Sequence, residues 1–457
     1  MRSRAKFVRP NRHRVSMKSK EMGAFKPKSR RKEERLFTNS ARQACWEFMQ
    51  DVQKRDGYVN LEIEGLYRRL EPKDRSFATE LVFGCTRMRR RLDFEIDSHL
   101  ERSVDDETRE LLRLGYYEAF FMKTADHAIV HEYVEVAKVV LGKARASFVN
   151  ALLRRATRER GEASEKRELT IGVSTSHPDW IVDVFSMISS GDDLALELAS
   201  HNVPADIHAV SFLPLTDEDA IKEQRSQYGY ILRKPPHLFD EIVRHRAFVQ
   251  DLGSQIICEI MLGTDPKRNL RWLDLCAGPG GKFAFLAHFL SADQLQGCEI
   301  HPHRAKLISQ RCPDHKISIV DSRKSGLTDA SFDRILIDAP CTGLGALRRR
   351  PDARWRRSEL DLKNLIKLQQ ELLESAAQLL APGGIIGYAT CSPHPLETRV
   401  QVADFLAKNP SFKQISIEKE TLHSTFHSGI GVDGSMQLMT SSHGTDGMFL
   451  ALLKKEE

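Results

Sequence analysis

The feature that most constrains the fold is a regular alternation that begins near residue 251. Apolar runs of strand length take turns with stretches of helical period. LRWLDLCA precedes KFAFLAHFL, QLQGCEI precedes HRAKLISQRC, and KISIVDS follows. FDRILIDAP precedes ELDLKNLIKLQQELLESAAQLL, GGIIGYATCS precedes LETRVQVADFLAKN, and FKQISIE and MFLALLKK close the chain. Repeated βα units predict an α/β architecture with a mostly parallel, doubly wound sheet. Ligands of such sheets bind at the carboxyl ends of the strands, so chemistry-bearing residues are sought there.

That block spans 251–457. The chain has 457 residues, too many for a single core, so two or three domains are expected. Residues 37–160 show helical stripes almost throughout, beginning with NSARQACWEFMQDVQKR, where Asn39 or Ser40 is placed to cap a helix. PKDRSFATELVFGCTRMRRRLDFEIDSHL continues at the same period. An all-α domain is predicted. Its Arg87, Arg89, Arg90, Arg91, Arg154 and Arg155 are either phosphate contacts or part of a solvated helix face. Residues 161–250 read as a mixed connector, with a helix starting near Pro178 and short strands in IHAVSFLPL and YGYILR.

Charge sets the first 36 residues apart. They hold 14 Lys/Arg against 3 Glu, a net +11, so the rest of the chain carries −5 of the total +6. A segment so basic has too little apolar surface to fold alone. It suits counterion-releasing contact with a polyanion such as RNA, or else it is a solvated arm. No apolar run approaches the ~20 residues that span a bilayer, and the N-terminus lacks the apolar centre of a signal peptide. A cytoplasmic protein without membrane partners is expected. The eight cysteines include no C-x-x-C pair, and no His cluster has ligand spacing, so no metal is expected. Most of these thiols should be small buried hydrophobes.

LDLCAGPGGKF reads as strand, glycine turn, helix. The loop Cys276, Ala277, Gly278, Pro279, Gly280, Gly281 and Lys282 lets the backbone approach a ligand and present N–H groups. It has neither Walker spacing nor the full dinucleotide fingerprint. The second strand ends at Glu299, placed to accept ribose hydroxyls. The third ends at Asp321, placed to meet an adenine amino group, and the fourth at Asp338. Any one acid is an ordinary loop residue. Four successive strand ends together favour S-adenosylmethionine as cofactor.

DAPC supplies Asp338 and Cys341, and TCS supplies Cys391, each closing an apolar run. Two thiols and an acid suit methyl transfer to carbon 5 of a pyrimidine. A thiolate adding at carbon 6 makes carbon 5 nucleophilic, an acid near the ring stabilises the charge that develops, and a second group assists release of the first thiol. Spacing does not say which cysteine attacks. The other reading is two buried structural cysteines.

LDLCAGPGGK, DAPCTGLGALRRRPDARWR and YATCSPHPLET resemble the Sun/RsmB family of RNA cytosine-5 methyltransferases. FVQDLGSQ is similar to the segment that opens that family's catalytic domain, and DRSFATELVFGCTR and ASFVNALLRR to a NusB-like RNA-binding domain. The resemblance covers about residues 38–457. It implies a Rossmann-like S-adenosylmethionine methyltransferase sheet after an N-terminal NusB-like domain, with Cys391 as nucleophile and Cys341 assisting release. It implies Cys276 to Lys282, Glu299, Asp321 and Asp338 at the cofactor, joined by Arg304, a basic residue just after the second-strand acid. The implied substrate is a cytosine of small-subunit 16S rRNA, naked or in a pre-ribosomal particle, and a monomer is expected. tRNA methylation is an alternative, as is a non-catalytic RNA-binding assembly factor. A DNA methyltransferase is disfavoured, since no Glu-Asn-Val accompanies the proline-cysteine. IHAVSF, Thr398 and the basic tail depart from the family pattern.

Overall fold

The computed structural model describes residues 40–159 and 168–457; the basic segment 1–36, read as an RNA-contacting tail, lies outside the described residues. The first body is helical. Ser40 caps the helix Ala41–Lys54 by accepting from the Gln43 N–H. Helices Val59–Tyr67, Arg75–Arg87, Arg89–Asp97, Asp106–Phe121, Asp126–Val140 and Lys143–Glu159 follow and enclose one continuous apolar core. The long periodic stretch after Pro72 is not one helix. It breaks at Met88, so that Arg89–Asp97 turns back on Asp106–Phe121. Gly84 lies inside the first of these helices because a Cβ there would land 2.0 Å from the Tyr117 ring.

The arginines of this body are mostly committed to internal bonds. Arg87 is buried, Arg90 donates to the His177 carbonyl and Asp179, Arg91 pairs with Glu95, and Arg155 pairs with Glu159. Arg154 donates to Asn150 on its own helix. A one-dimensional stripe cannot show which cations find carboxylates on neighbouring helices.

The connector has two parts. Helices Asp179–Ser186 and Gly191–Ser200 pack Ile181, Val184, Phe185, Leu194 and Leu198 against Leu344, Leu347 and Ala353 of the arginine-rich loop. A four-stranded antiparallel sheet follows, from β1 (Ile207–Ser211), β2 (Ala220–Lys222), β3 (Gly229–Leu232) and β4 (Ala247–Val249), in the order β2-β3-β1-β4. Phe212, just after β1, stacks on His288 with ring centroids 3.7 Å apart, which seats this sheet against the last body.

The last body contains β5 (Trp272–Asp274), β6 (Leu295–Glu299), β7 (Lys316–Ile319), β8 (Phe332–Asp338), β9 (Leu380–Thr390), β10 (Phe412–Ile415), β11 (Met436–Gln437) and β12 (Phe449–Lys455). Their order is β10-β12-β9-β8-β5-β6-β7, with β11 on the side of β12. β5 to β9 pair in parallel, while β12 runs antiparallel to β9 and to β10. Alternation along the strands serves two cores. Leu336, Ile385, Leu450 and Leu452 face helix Leu252–Gly263. Ile335, Ile337, Ile386 and Tyr388 face helices Glu359–Leu379 and Arg399–Lys408. Burial on both faces explains why these strands read as continuous apolar runs. This is a Rossmann-like sheet with helices on both sides. Among the described residues no helix is long and apolar enough to cross a membrane.

Candidate active site

The central strands β5, β6, β8 and β9 end on one rim of the sheet, and that rim collects the chemistry. β5 ends at Asp274 and runs into the glycine loop. Gly280 has φ +107°, a conformation that side-chain-bearing residues rarely adopt, and it opens the short helix Gly281–Ala287. At Gly278 an added Cβ would sit 1.7 Å from Glu299 Oε2, so the loop backbone lies directly against the acid that ends β6. Glu299 is buried, and its Oε1 accepts from the His301 N–H at 2.7 Å. The Ala277 N–H donates to the Cys298 carbonyl, which ties the loop to β6.

Asp274 is a site residue that reading the strand ends for acids passed over. Its Oδ1 accepts from the Cys276 N–H at 3.3 Å, and its Oδ2 is buried without a partner among the described residues. Burial, reinforced by the nearby Asp338 carboxylate, pushes its pKa up to about 7. The signal was present in the sequence: an acid immediately ahead of the glycine turn. Asp321 behaves differently from its expectation as an open acceptor. It caps the turn Ser322–Lys324, and its carboxylate is held by Arg323, which also pairs with Glu371. Arg304 is exposed near the start of helix Pro302–Arg311, with its Cβ 3.2 Å from the place a Gly278 Cβ would take.

Lys282 Nζ donates to Asp338 Oδ2 at 2.8 Å. Burial works against the lysine's charge, but the Asp338 carboxylate outweighs it and holds the pKa above the usual value. This pair bridges the glycine loop to the end of β8. Three residues further on, Cys341 Sγ lies 3.2 Å from Cys391 Sγ, which follows the end of β9. Of the eight free cysteines, six are buried; the two half-buried ones are Cys276, at the glycine turn, and Cys391. The hydrogen bond from Cys341, helped by Arg350, holds the Cys391 pKa below the ordinary thiol value despite burial. The same bond and burial push Cys341 well up. Of the two, Cys391 is the more readily ionised and Cys341 the less.

Glu397 supports the thiols from beneath. It is fully buried, and its carboxylate accepts from the Thr342 N–H at 2.9 Å, the Thr342 hydroxyl, and Gln369 Nε2 at 3.0 Å. Gln369 also donates to the Pro340 carbonyl, so both neighbours of Cys341 are fixed. On the other side the Gly345 N–H donates to the Cys391 carbonyl. A Cβ on Gly345 would meet the Gly447 carbonyl oxygen at 1.9 Å. The arginine-rich loop beyond it is spent on anchoring. Arg348 and Arg349 grip Asp251 and Asp446, and buried Arg354 donates to the carbonyls of Arg87, Ser176 and His201 and to Asn202. None of these supports is visible as a local pattern.

A rim with a glycine loop, a buried acid beside it and two touching thiols invites comparison with known proteins. The family model described as 16S rRNA methyltransferase RsmB/F matches residues 261–454, and the NusB family matches 39–158. A Mycobacterium tuberculosis protein provisionally named a methyltransferase is 39% identical over 445 residues, covering 91% of this chain and 96% of its own. This chain belongs to the RsmB/F methyltransferase family. A Vibrio vulnificus protein named ribosomal RNA small subunit methyltransferase B is 26% identical, over 91% of this chain and 100% of its own. The crystal structure of PH0851 superposes with a TM-score of 0.73 at 21% identity, covering 92% of this chain and all of that one, and so shares the fold. The RsmB/F chain has the NusB-like helical body followed by the Rossmann-like methyltransferase sheet, and its reaction is S-adenosylmethionine-dependent RNA methylation.

The residues present fit that cofactor. The missing side chains at Gly278 and Gly280 let the loop close on Glu299 and Ile308 and so hold that acid at the rim, and Glu299 and the Asp274 Oδ2, unpaired among the described residues, offer acceptors for hydroxyl or ammonium donors. Lys282 and Asp338 stand between this loop and the thiols.

Proposed function

We propose that this protein methylates carbon 5 of a cytosine in small-subunit rRNA through a covalent adduct on Cys391. The observation that carries the reading is the thiol pair at 3.2 Å, in which Cys391 is the more readily ionised. Cys391 adds to carbon 6 of the base, and the ring charge that develops is stabilised by the adjacent Asp338–Lys282 pair. S-adenosylmethionine, when bound, supplies the methyl group that carbon 5 takes. Solvent water takes the carbon 5 proton, which restores the double bond and expels Cys391 as the thiolate that attacked. Cys341, which holds its proton firmly, assists by hydrogen-bonding to the departing sulfur. Glu299, Asp274 and the loop Cys276 to Lys282 are the cofactor's holders in this reading, with Asp321 contributing only once Arg323 has released it. The rRNA assignment follows the names of the relatives.

Bisulfite sequencing of total RNA from cells with and without the gene tests the reading. One protected rRNA cytosine that disappears with the gene is expected. A protected cytosine lost from tRNA instead would move the substrate, and no change anywhere would refute carbon 5 methylation.

A further inference from the structure

Cys341 and Cys391 are placed to exchange electrons as well as protons. Their Sγ atoms lie 3.2 Å apart, and a disulfide closes at ~2.05 Å, so each sulfur has to travel only about 0.6 Å. The backbone holds them within that reach. β8 and β9 pair through Asp338 and Ala389, Gln369 donates to the Pro340 carbonyl, and the Gly345 N–H donates to the Cys391 carbonyl. The two thiols also differ from each other. Cys391 is half-buried, whereas Cys341 is buried. The hydrogen bond from Cys341, with Arg350 and Lys282, holds the Cys391 pKa down against burial and the Asp338 carboxylate. Burial pushes the thiols of Cys45, Cys85, Cys258, Cys276, Cys298 and Cys312 up instead.

A thiol that is partly open, ionises readily and touches a second, shielded thiol is the arrangement of a peroxide-reactive cysteine with its resolving partner. The geometry points to an oxidation site at the rim: hydrogen peroxide oxidises Cys391, and Cys341 closes on it as a reversible disulfide. The Cys391 thiolate attacks one peroxide oxygen and breaks the O–O bond. Its sulfur gives up two electrons and becomes the sulfenic acid, and hydroxide leaves. Cys341 then attacks that sulfur. An S–S bond forms, the S–O bond breaks, and the hydroxyl departs with the Cys341 proton as water. The two thiols become one disulfide and the peroxide becomes two waters. A dithiol reductant reverses the step by taking the disulfide onto itself. Closure also spares Cys391 from the irreversible sulfinic acid, because the sulfenic acid is consumed before a second peroxide arrives. The site follows from the thiol pair and needs no part of the methylation chemistry. Only the loss of activity on oxidation rests on Cys391 being the nucleophile.

The test exposes the reduced full chain to hydrogen peroxide, blocks free thiols with N-ethylmaleimide, and maps a digest made without reductant by mass spectrometry. The wild type should yield two peptides joined through Cys341 and Cys391, lighter by two hydrogens than their sum, and dithiothreitol should return both thiols. Cys341→Ser should lose the link and accumulate Cys391 sulfinic acid. Cys391→Ser should lose the link and leave Cys341 reduced. No linked pair in the wild type, or sulfinic acid at Cys391 as abundant in the wild type as in Cys341→Ser, would overturn the site. The catalytic reading fails separately. Oxidised protein that carries the disulfide yet still methylates RNA leaves this site assigned and sinks Cys391 as nucleophile. Methylation that vanishes in Cys391→Ala, with no disulfide formed in the wild type, does the reverse.

Discussion

Cys341 Sγ and Cys391 Sγ stand 3.2 Å apart although fifty residues separate them in the chain. They meet because β8 and β9 are adjacent parallel strands, paired through Asp338 and Ala389 at their ends. One strand end presents an acid and a thiol, and its neighbour presents the second thiol.

The division of labour between them is directly testable. Cys391→Ala should abolish methylation and any covalent RNA adduct. Cys341→Ala should still attack and methylate, but release slows, so a protein–RNA band persists on a denaturing gel. An adduct in Cys391→Ala and none in Cys341→Ala would reverse the roles.

The polarity of the pair predicts a pH profile. Adduct formation needs the Cys391 thiolate, so its single-turnover rate falls as pH drops through the Cys391 pKa and levels off above it. Because Cys341 and Arg350 hold that pKa below the ordinary thiol value, the rise should come at lower pH than for an isolated thiol. Cys341→Ala removes the donor, raises the pKa and moves the rise to higher pH. Superimposable profiles for the two proteins would mean that Cys341 does not tune its neighbour.

Gly278 and Glu299 make a prediction about the cofactor. Gly278→Ala would place a methyl group against Glu299 Oε2, forcing the acid or the loop aside. Glu299→Ala removes the acceptor outright, at a cost of roughly 1–3 kcal/mol. Calorimetry with S-adenosylmethionine should show weakened binding in both variants. Asp321→Ala should weaken it less, since Arg323 already occupies that carboxylate. Full affinity in Gly278→Ala would show that the contact is incidental.

Arg354 predicts a stability effect that spreads across the bodies. Its guanidinium donates four hydrogen bonds, to Arg87, Ser176, His201 and Asn202, from a side chain that is almost fully buried. Arg354→Ala leaves those acceptors unpaired and should destabilise the chain by about 3 kcal/mol or more. Arg354→Lys, with one ammonium for four acceptors, should not restore it. Thermal melts of the three proteins check this, and a lysine variant as stable as the wild type would refute the argument.

Much of the site was legible because strand ends leave local marks. The apolar runs of β6, β8 and β9 stop at Glu299, Asp338 and Thr390, and the glycine turn after β5 announces itself by composition. The helix cap at Ser40 was equally local. Illegible features share a different property: each depends on a partner that the local pattern does not reveal. Arg87 and Arg90 sit in a stripe open to a surface reading, but Arg87 is buried and Arg90 is taken up by the connector's His177 carbonyl and Asp179. Asp321 read as a free acceptor until Arg323 closed on it. Glu397 falls in a stretch marked only by its helical period, yet Thr342 donates to it across 55 residues.

Polarity period and glycine content act within a few residues, so the order of βα units and the residue types at each turn can be read from the chain alone. That β8 lies between β5 and β9, that the thiols touch, and which of them ionises more readily emerged with the folded chain. Strand adjacency is settled by non-local backbone pairing and two-sided burial. The difference between the cysteines is settled by charges and donors that arrive from other segments, Arg350 and Lys282 beside Cys391 and Glu397 beside Cys341. An electrostatic environment is a property of positions in space, and no local stretch of chain contains it.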